Sequence, residues 1–224
     1  MSEISAETAR HNMIEQQIRP WDVLDDTVLN LIADVPREEF VPAGFHNLAF
    51  ADMNIPLGHG EAMMSPKLEA RMLQALDVKP TETVLEIGTG SGYVTALLAK
   101  LARHVYSVDI HEDFVNHAHS KLNDDDVVNV TLEQGDAATG WAQHGPYDVI
   151  AVTGSLPLLP DSLRESLKMA GRLFVIEGDS PVMTARLITR LSDNEFHQDF
   201  HSENLFETDL PPLRNAVQPD RFVL

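Results

Sequence analysis

Apolar residues recur at three- and four-residue steps in two early stretches and predict helices over Ala6 to Ile18 and Thr27 to Val35. The second buries Val28, Leu31, Ile32 and Val35 behind the capping candidates Asp25 and Asp26. Arg19-Pro20-Trp21 interrupts the spacing, and Pro36, Pro42 and Gly44 open a loop-rich passage that reaches Gly60. Ser65-Pro66 reads as a helix start, with serine as cap and proline in the first turn, ahead of Leu68, Met72, Leu73 and Leu76.

From Thr83 the period changes, and short apolar runs alternate with helical ones. Strand Val84–Ile87, helix Tyr93–Leu101, strand Val105–Asp109, helix Asp113–Leu122 and strand Val127–Leu132 follow in order. Strand Tyr147–Val152, a short helix near Leu163–Lys168 and strand Leu173–Ile176, entered from a turn at Gly171, continue the series. Such alternation specifies an α/β fold with a parallel sheet covered on both faces. Near the end the pattern breaks. Arg186–Leu191 and Phe196–Phe200 are β-like and separated by Ser192-Asp193-Asn194-Glu195, a gap that fits a hairpin, so the last two strands are expected to be antiparallel neighbours. The tail from Leu210 to Leu224 carries three prolines and is expected to pack as irregular chain. Two regions result: residues 1–77 as a helical cap, and residues 78–224 as the main domain with its terminal hairpin and tail.

The strand that ends at Ile87 runs into Gly88-Thr89-Gly90-Ser91-Gly92, glycines at alternate positions before a helix, where a ligand can approach bare backbone. A dinucleotide fingerprint needs its third glycine one residue later, at the position held by Tyr93. Glu86 also disfavours pyrophosphate and favours a cationic amino group. Asp109, at the end of the next strand, suits ribose hydroxyls. S-adenosylmethionine meets these demands; a purely structural turn and a dinucleotide site are the alternatives. Ligands in such sheets bind at the carboxyl ends of the strands, beside the point where strand order reverses. That places Gly135-Asp136-Ala137 near the adenine, with Asp136 as acceptor for its amine and the Ala137 amide as donor, and brings in Ile110 beside Asp109. Met63 and Met64 are candidates to pack over the cofactor.

Composition narrows the partners. With 16 basic against 35 acidic side chains the formal charge is -19, which disfavours nucleic acid and anionic membranes. Cysteine is absent, so disulfides, thiolate metal sites and cysteine nucleophiles are excluded. A polar amino terminus and the lack of any apolar run of ~20 residues lead us to expect a soluble, cytoplasmic protein. The ten histidines show no metal-ligand spacing of the His-Glu-x-x-His kind, and no metal is expected.

Val35-Pro36-Arg37-Glu38-Glu39-Phe40-Val41, Ile55-Pro56-Leu57-Gly58-His59-Gly60, Val84 to Tyr93 and Tyr147-Asp148-Val149-Ile150 together resemble the protein-L-isoaspartate O-methyltransferase family over roughly residues 10 to 180. The resemblance implies a Rossmann-like methyltransferase fold whose seven-stranded, mostly parallel sheet ends in an antiparallel pair. It further implies S-adenosylmethionine as methyl donor and the carboxylate of isoaspartyl residues in damaged proteins as acceptor. In the family's register, threonine is expected where Ala62 stands, serine where Met64 stands, an uncharged amide where Glu61 stands, and histidine where Lys67 stands. Ser65, one residue displaced, is the remaining hydroxyl for an acceptor-binding or catalytic role, beside its role as helix cap. Glu61 would repel an anionic acceptor unless it faces solvent or pairs with Lys67 or Arg71. A methyltransferase with another acceptor, a catalytically silent cofactor-binding protein and a nicotinamide-dependent oxidoreductase are the competing readings.

Overall fold

The computed structural model describes residues 5–124, 126–193 and 198–220. Helix α1 (Ala6–Met13) is capped by Ser5, whose side chain accepts from the Thr8 amide, and runs into a π turn at Ile14–Ile18 and a 3-10 turn at Arg19–Trp21. The helical spacing predicted over Ala6 to Ile18 is therefore present, but its last turn widens. Helix α2 (Asp26–Asp34) has Asp25 as its cap, accepting from the Thr27 amide at 2.7 Å, and α3 (Arg37–Phe40) is a single turn. Inside the predicted loop passage lies a small antiparallel hairpin, β1 (Ile55–Gly58) and β2 (Glu61–Met63), turned by Gly58, His59 and Gly60, all at positive φ. Helix α4 (Pro66–Leu76) begins where predicted, but Ser65 makes no side-chain capping bond. Its hydroxyl is buried at the start of the helix, and its amide is held instead by Asn54 Oδ1 at 3.0 Å.

The main sheet comprises β3 (Thr83–Ile87), β4 (His104–Asp109), β5 (Val130–Gln134), β6 (Tyr147–Leu156), β7 (Leu167–Glu177), β8 (Met183–Asp193) and β9 (Gln198–Thr208) in the order β5-β4-β3-β6-β7-β8-β9. The first five positions in that order are parallel, and β8 runs antiparallel to both neighbours. Helices α5 (Tyr93–Leu101), α6 (Glu112–Asp124) and α7 (Asp161–Glu165) fill the crossovers. Burial in the central strands is nearly continuous, as expected for a parallel sheet covered twice. Val84, Val149, Ala151 and Phe174 face a core shared with Met13, Ile18, Ile32 and Phe40 of the N-terminal helices; Leu85, Ile87, Ile150 and Leu173 face the other.

Three boundaries differ from expectation for local reasons. Val127 does not open a strand: its amide bonds to the Leu122 carbonyl and closes α6, so β5 starts at Val130. The short helix ends at Glu165, because Leu167 is already paired with Tyr147. Gly171 lies within β7 and not before it, at a bulge where a Cβ would sit 2.8 Å from the Lys168 carbonyl oxygen. The hairpin strands β8 and β9 are both longer than predicted: of the expected gap Ser192-Asp193-Asn194-Glu195, the first two residues pair within β8, and Asn194 and Glu195, with Phe196, lie outside the described residues.

Arg37 ties the N-terminal segment to the rest. Its side chain is wholly buried, donates from Nε to the Ala49 carbonyl at 2.8 Å and from Nη2 to the Met64 carbonyl at 2.7 Å, and pairs through Nη1 with Glu69 of α4. The guanidinium also lies 5.0 Å from the Tyr93 ring centroid. Breaking a buried pair from one side leaves the other charge uncompensated. Arg37→Ala should therefore lower unfolding free energy in urea by ~3–5 kcal/mol, and Arg37→Met with Glu69→Met should lower it less; a single variant within 1 kcal/mol of the wild type, the order of an ordinary surface change, would show that the pair is not needed.

Candidate active site

The carboxyl ends of β3, β4 and β6 meet where strand order reverses, and the loop at residues 88–92 turns there through three glycines at φ 100°, 50° and 83°. At Gly88 a Cβ would lie 2.3 Å from Thr153 Oγ1, which donates to the Ile87 and Gly88 carbonyls. Only glycine lets β6 come this close. Gly92 answers a different need, since a Cβ there would lie 2.9 Å from Ala118 and push α6 away.

Asp109 accepts the Gly90 amide on Oδ2 and the His111 amide on Oδ1, each at 2.9 Å, which fixes the carboxylate while leaving acceptor capacity on both oxygens. Burial pushes its carboxyl above the usual range, opposed by those two amides. Asp136 accepts from the Ala138 amide at 3.1 Å and from Asn215 Nδ2 at 2.8 Å. The tail thus reaches the site. Leu210 to Leu213 lies along the end of β6, where Ser155 exchanges backbone bonds with Pro211 and Leu213.

These elements line an open cleft of about 820 Å³, a volume that includes the solvent-open space at its mouth. Gly88, Thr89, Gly90, Asp109, Ile110, Asp136, Ala137, Met63 and Met64 all line it, so the structure brings nine of the expected residues to one wall or its facing hairpin. Glu86, Gly92 and Ser65 do not line it. Gly92 sits at the α5 cap and Ser65 at the α4 start. Glu86 lies a layer deeper, wholly buried, with Oε2 accepting from Thr95 Oγ1 at 2.5 Å and from Ser107 Oγ at 2.6 Å; Ser107 also bonds Thr89 at 2.6 Å. Its placement supports the loop from beneath. Thr153, His111, Phe114, Leu213 and Arg214 also line the cleft and were not expected there. Their signal is topological: the Leu-Pro-Pro-Leu-Arg segment carries a site residue only because the tail folds back onto β6.

Arg214 is the one arginine or lysine among the described lining residues. Its Nε donates to Glu61 Oε1 at 2.7 Å, and its Nη2 to the His59 carbonyl. Glu61 pairs neither with Lys67, which holds Asp52 at 2.7 Å, nor with Arg71, which donates to the Trp21 carbonyl. Glu61, Asp109 and Asp136 face the cleft, which suits a cationic ligand. No serine or cysteine nucleophile paired with a base occurs among the described lining residues. The arrangement is built to position two reactants and to supply little further chemistry.

A Rossmann-like sheet with the antiparallel strand β8, a glycine loop where strand order reverses and an acid at the end of the next strand are the arrangement of an S-adenosylmethionine-dependent methyltransferase. The family model for protein-L-isoaspartate(D-aspartate) O-methyltransferase matches residues 8–208, and the chain belongs to that family. It is 35% identical over 210 residues to protein-L-isoaspartate O-methyltransferase 2 of Pelobacter propionicus, covering 94% of this chain and 92% of that one. The Aliivibrio fischeri protein-L-isoaspartate O-methyltransferase is 33% identical, over 92% of this chain and 96% of its own. In fold, the chain superposes on a Plasmodium falciparum crystal structure, described as a protein-L-isoaspartate O-methyltransferase with S-adenosyl-L-homocysteine, at TM-score 0.77. The two chains are 20% identical, and 96% and 100% of them are covered.

Burial without a cation among its hydrogen-bond partners pushes the Glu86 carboxyl up to about 8, against the pull of Ser107 and Thr95 and with a small upward push from Asp109. The native state therefore holds this proton where the unfolded chain, near 4.5, has lost it, so the Glu86 contribution to stability falls as pH rises between those values. Urea denaturation from pH 5 to 8 should show the wild type losing a few kcal/mol relative to Glu86→Gln; parallel curves would mean the carboxyl titrates normally.

Proposed function

We propose that this protein transfers a methyl group from S-adenosylmethionine to the α-carboxylate of isoaspartyl residues in damaged proteins, through an acceptor pocket rebuilt without the family's hydroxyls. The observation that carries the reading is the cleft itself, which the donor-side residues Gly88 to Gly90, Asp109 and Asp136 share with Glu61, Ala62 and Met63 of the hairpin and Met64 just after it.

When bound, the sulfonium supplies an activated methyl carbon and leaves as the thioether. The acceptor oxygen forms the new bond as the carbon–sulfur bond breaks, and a carboxylate needs no base to remove a proton. What the chain's residues contribute is alignment and exclusion of water. Asp109 would hold the ribose hydroxyls, the backbone of Gly88 to Gly90 would approach the amino-acid end, and Asp136 with the Ala137 amide would take the adenine edge. Glu86 acts through the loop that it anchors. Met63 and Met64 are both buried and would pack against the cofactor and acceptor. Residues 1–77 serve as the cap that carries the acceptor side.

Arg214 removes the objection that Glu61 would repel an anionic acceptor, because the carboxylate is already paired and the acceptor can share the same guanidinium. A methyltransferase for a less anionic acceptor is the second reading, favoured by the absence of hydroxyls at positions 62 and 64. A chain with no cysteine and acting on intracellular damage fits the cytoplasm.

Calorimetry with S-adenosylhomocysteine should show one site, weakened by ~1–3 kcal/mol in Asp109→Ala, the cost of losing a charged hydrogen-bond partner; unchanged affinity removes Asp109 from the site. With labelled S-adenosylmethionine, an isoaspartyl peptide should be methylated slowly. Met64→Ser with Ala62→Thr should raise kcat/KM by about ten- to hundredfold for each bond restored, since one hydrogen bond to a carboxylate contributes ~1.5–3 kcal/mol. No methylation by either form, with cofactor binding intact, moves the acceptor elsewhere.

A further inference from the structure

At the mouth of the cleft, the turn of the β1–β2 hairpin meets the first residues of α6. His59 and His111 stack with ring centroids 4.1 Å apart and planes 12° from parallel, and His59 Nε2 lies 2.9 Å from Asp113 Oδ2. Phe114 stands edge-on beneath both rings, at 5.4 Å and 5.2 Å. One ligand-capable atom from each of His59, His111 and Asp113 lies within 4.8 Å of the others.

A stack of two imidazoles closed by one hydrogen bond explains His59 but not His111. The Nε2 of His111 is buried and has no hydrogen-bond partner; the nearest carboxylate oxygen, Glu61 Oε1, is 3.8 Å away. A buried ring nitrogen of this kind needs a donor, a proton shared with a carboxylate, or a metal. His59 adds a second anomaly. It is a non-glycine residue at φ 53° between two glycines at φ 109° and 83°, a backbone that L side chains rarely adopt. At the tip of the hairpin this backbone places an imidazole over His111.

We propose that His59, His111 and Asp113 form a divalent transition-metal site of the zinc type, which fastens the hairpin turn to the start of α6 at the rim of the cleft. Two imidazoles and one carboxylate are a common donor set for zinc, and they leave a fourth position for water or for Glu61. Tetrahedral ligands at zinc distances are about 3.3 Å apart, so atoms now up to 4.8 Å apart must draw in by up to about 1.5 Å, while His59 and Asp113, at 2.9 Å, must open slightly. His59 and Asp113 have the freedom to do so, with side chains 45% and 51% exposed, while His111 is the more fixed ligand at 20%. Phe114 supplies the apolar floor that keeps water from the far side. Because His111, Phe114 and Glu61 also line the cleft, an ion here would hold the hairpin over the cofactor. That consequence rests on the proposed cofactor site; the metal site itself does not.

The full-length protein, freed of metal with a chelator and dialysed, is titrated with zinc chloride without cofactor. One equivalent should bind, and His59→Gly and His111→Gln should each weaken it about tenfold or more. The glycine variant relieves the left-handed residue and is expected to fold at least as well. His144→Gln, which alters the separate His144–Glu133 pair, should leave zinc affinity unchanged. Cobalt should give the visible absorption of a tetrahedral site in the wild type and lose it in His111→Gln. No zinc binding, or equal affinity in the wild type and both ligand variants, overturns the site. Zinc should also slow release of S-adenosylhomocysteine about fivefold. Equal release with zinc bound would overturn the clamp, and it would leave the cofactor reading standing because binding is measured separately in chelator.

Discussion

A carboxyl without a cation holds the glycine loop in place. Glu86 at the end of β3 takes hydrogen bonds from Thr95 on α5 and Ser107 on β4, and Ser107 passes the connection to Thr89 in the loop. Strand, neighbouring strand, loop and helix are thereby fixed by groups that never reach solvent. Their common product is a loop held rigid at the one place where strand order reverses, its glycine amides already bonded to Val108, Asp109 and Thr89. Everything that follows at the site, from the orientation of Asp109 to the close approach of β6 at Thr153, presupposes that the loop does not move.

The hairpin side of the cleft is held by a different device. Arg37 reaches from a single-turn helix to the carbonyls of Ala49 and Met64 and to the carboxylate of Glu69, so the segment before the hairpin, the residue after it and α4 share one buried guanidinium. Met64 is in turn a wall of the cleft. The N-terminal segment is thus bonded to that wall directly, and a perturbation of the core pair would be felt at the cleft without any residue touching a ligand.

Much of this was legible in the sequence wherever one face of an element is buried along its length. The period of four in α2 and α4, the near-continuous apolar runs of β3 and β6 and the alternate glycines all survive because a two-sided core demands them. Short elements were not legible. The β1–β2 hairpin has only seven strand residues, with proline and glycine among them, and it is specified by pairing and not by periodicity. Gly171 looks like a turn in the sequence yet makes a bulge, since both use the same backbone freedom. Glu86 was expected to meet the cofactor and instead lies beneath the loop, away from the cleft, because the sequence does not reveal on which side of a strand end a carboxyl is buried. Contacts made across the fold, such as Arg214 with Glu61 or His59 with His111, join positions separated by 153 and 52 residues, distances at which no local pattern carries information.

The cleft treats its two expected ligands unequally, and charge shows how. Asp109, Asp136 and Glu61 all face it, whereas its arginine is already engaged by Glu61. A cationic ligand meets a favourable field on entry, with no partner to displace. An anionic acceptor must instead share or exchange Arg214, and exchange of one carboxylate for another at the same guanidinium is close to neutral in energy, so it contributes selectivity for geometry more than affinity. In a relative with hydroxyls at positions 62 and 64, donors to the acceptor would be additional to any such exchange. Here, with Ala62 and Met64 in those places, the guanidinium is the principal donor left on that wall. The positive charge that makes an anion welcome must then come largely from the cation bound first, which makes the donor pocket a precondition of acceptor binding as well as of the chemistry.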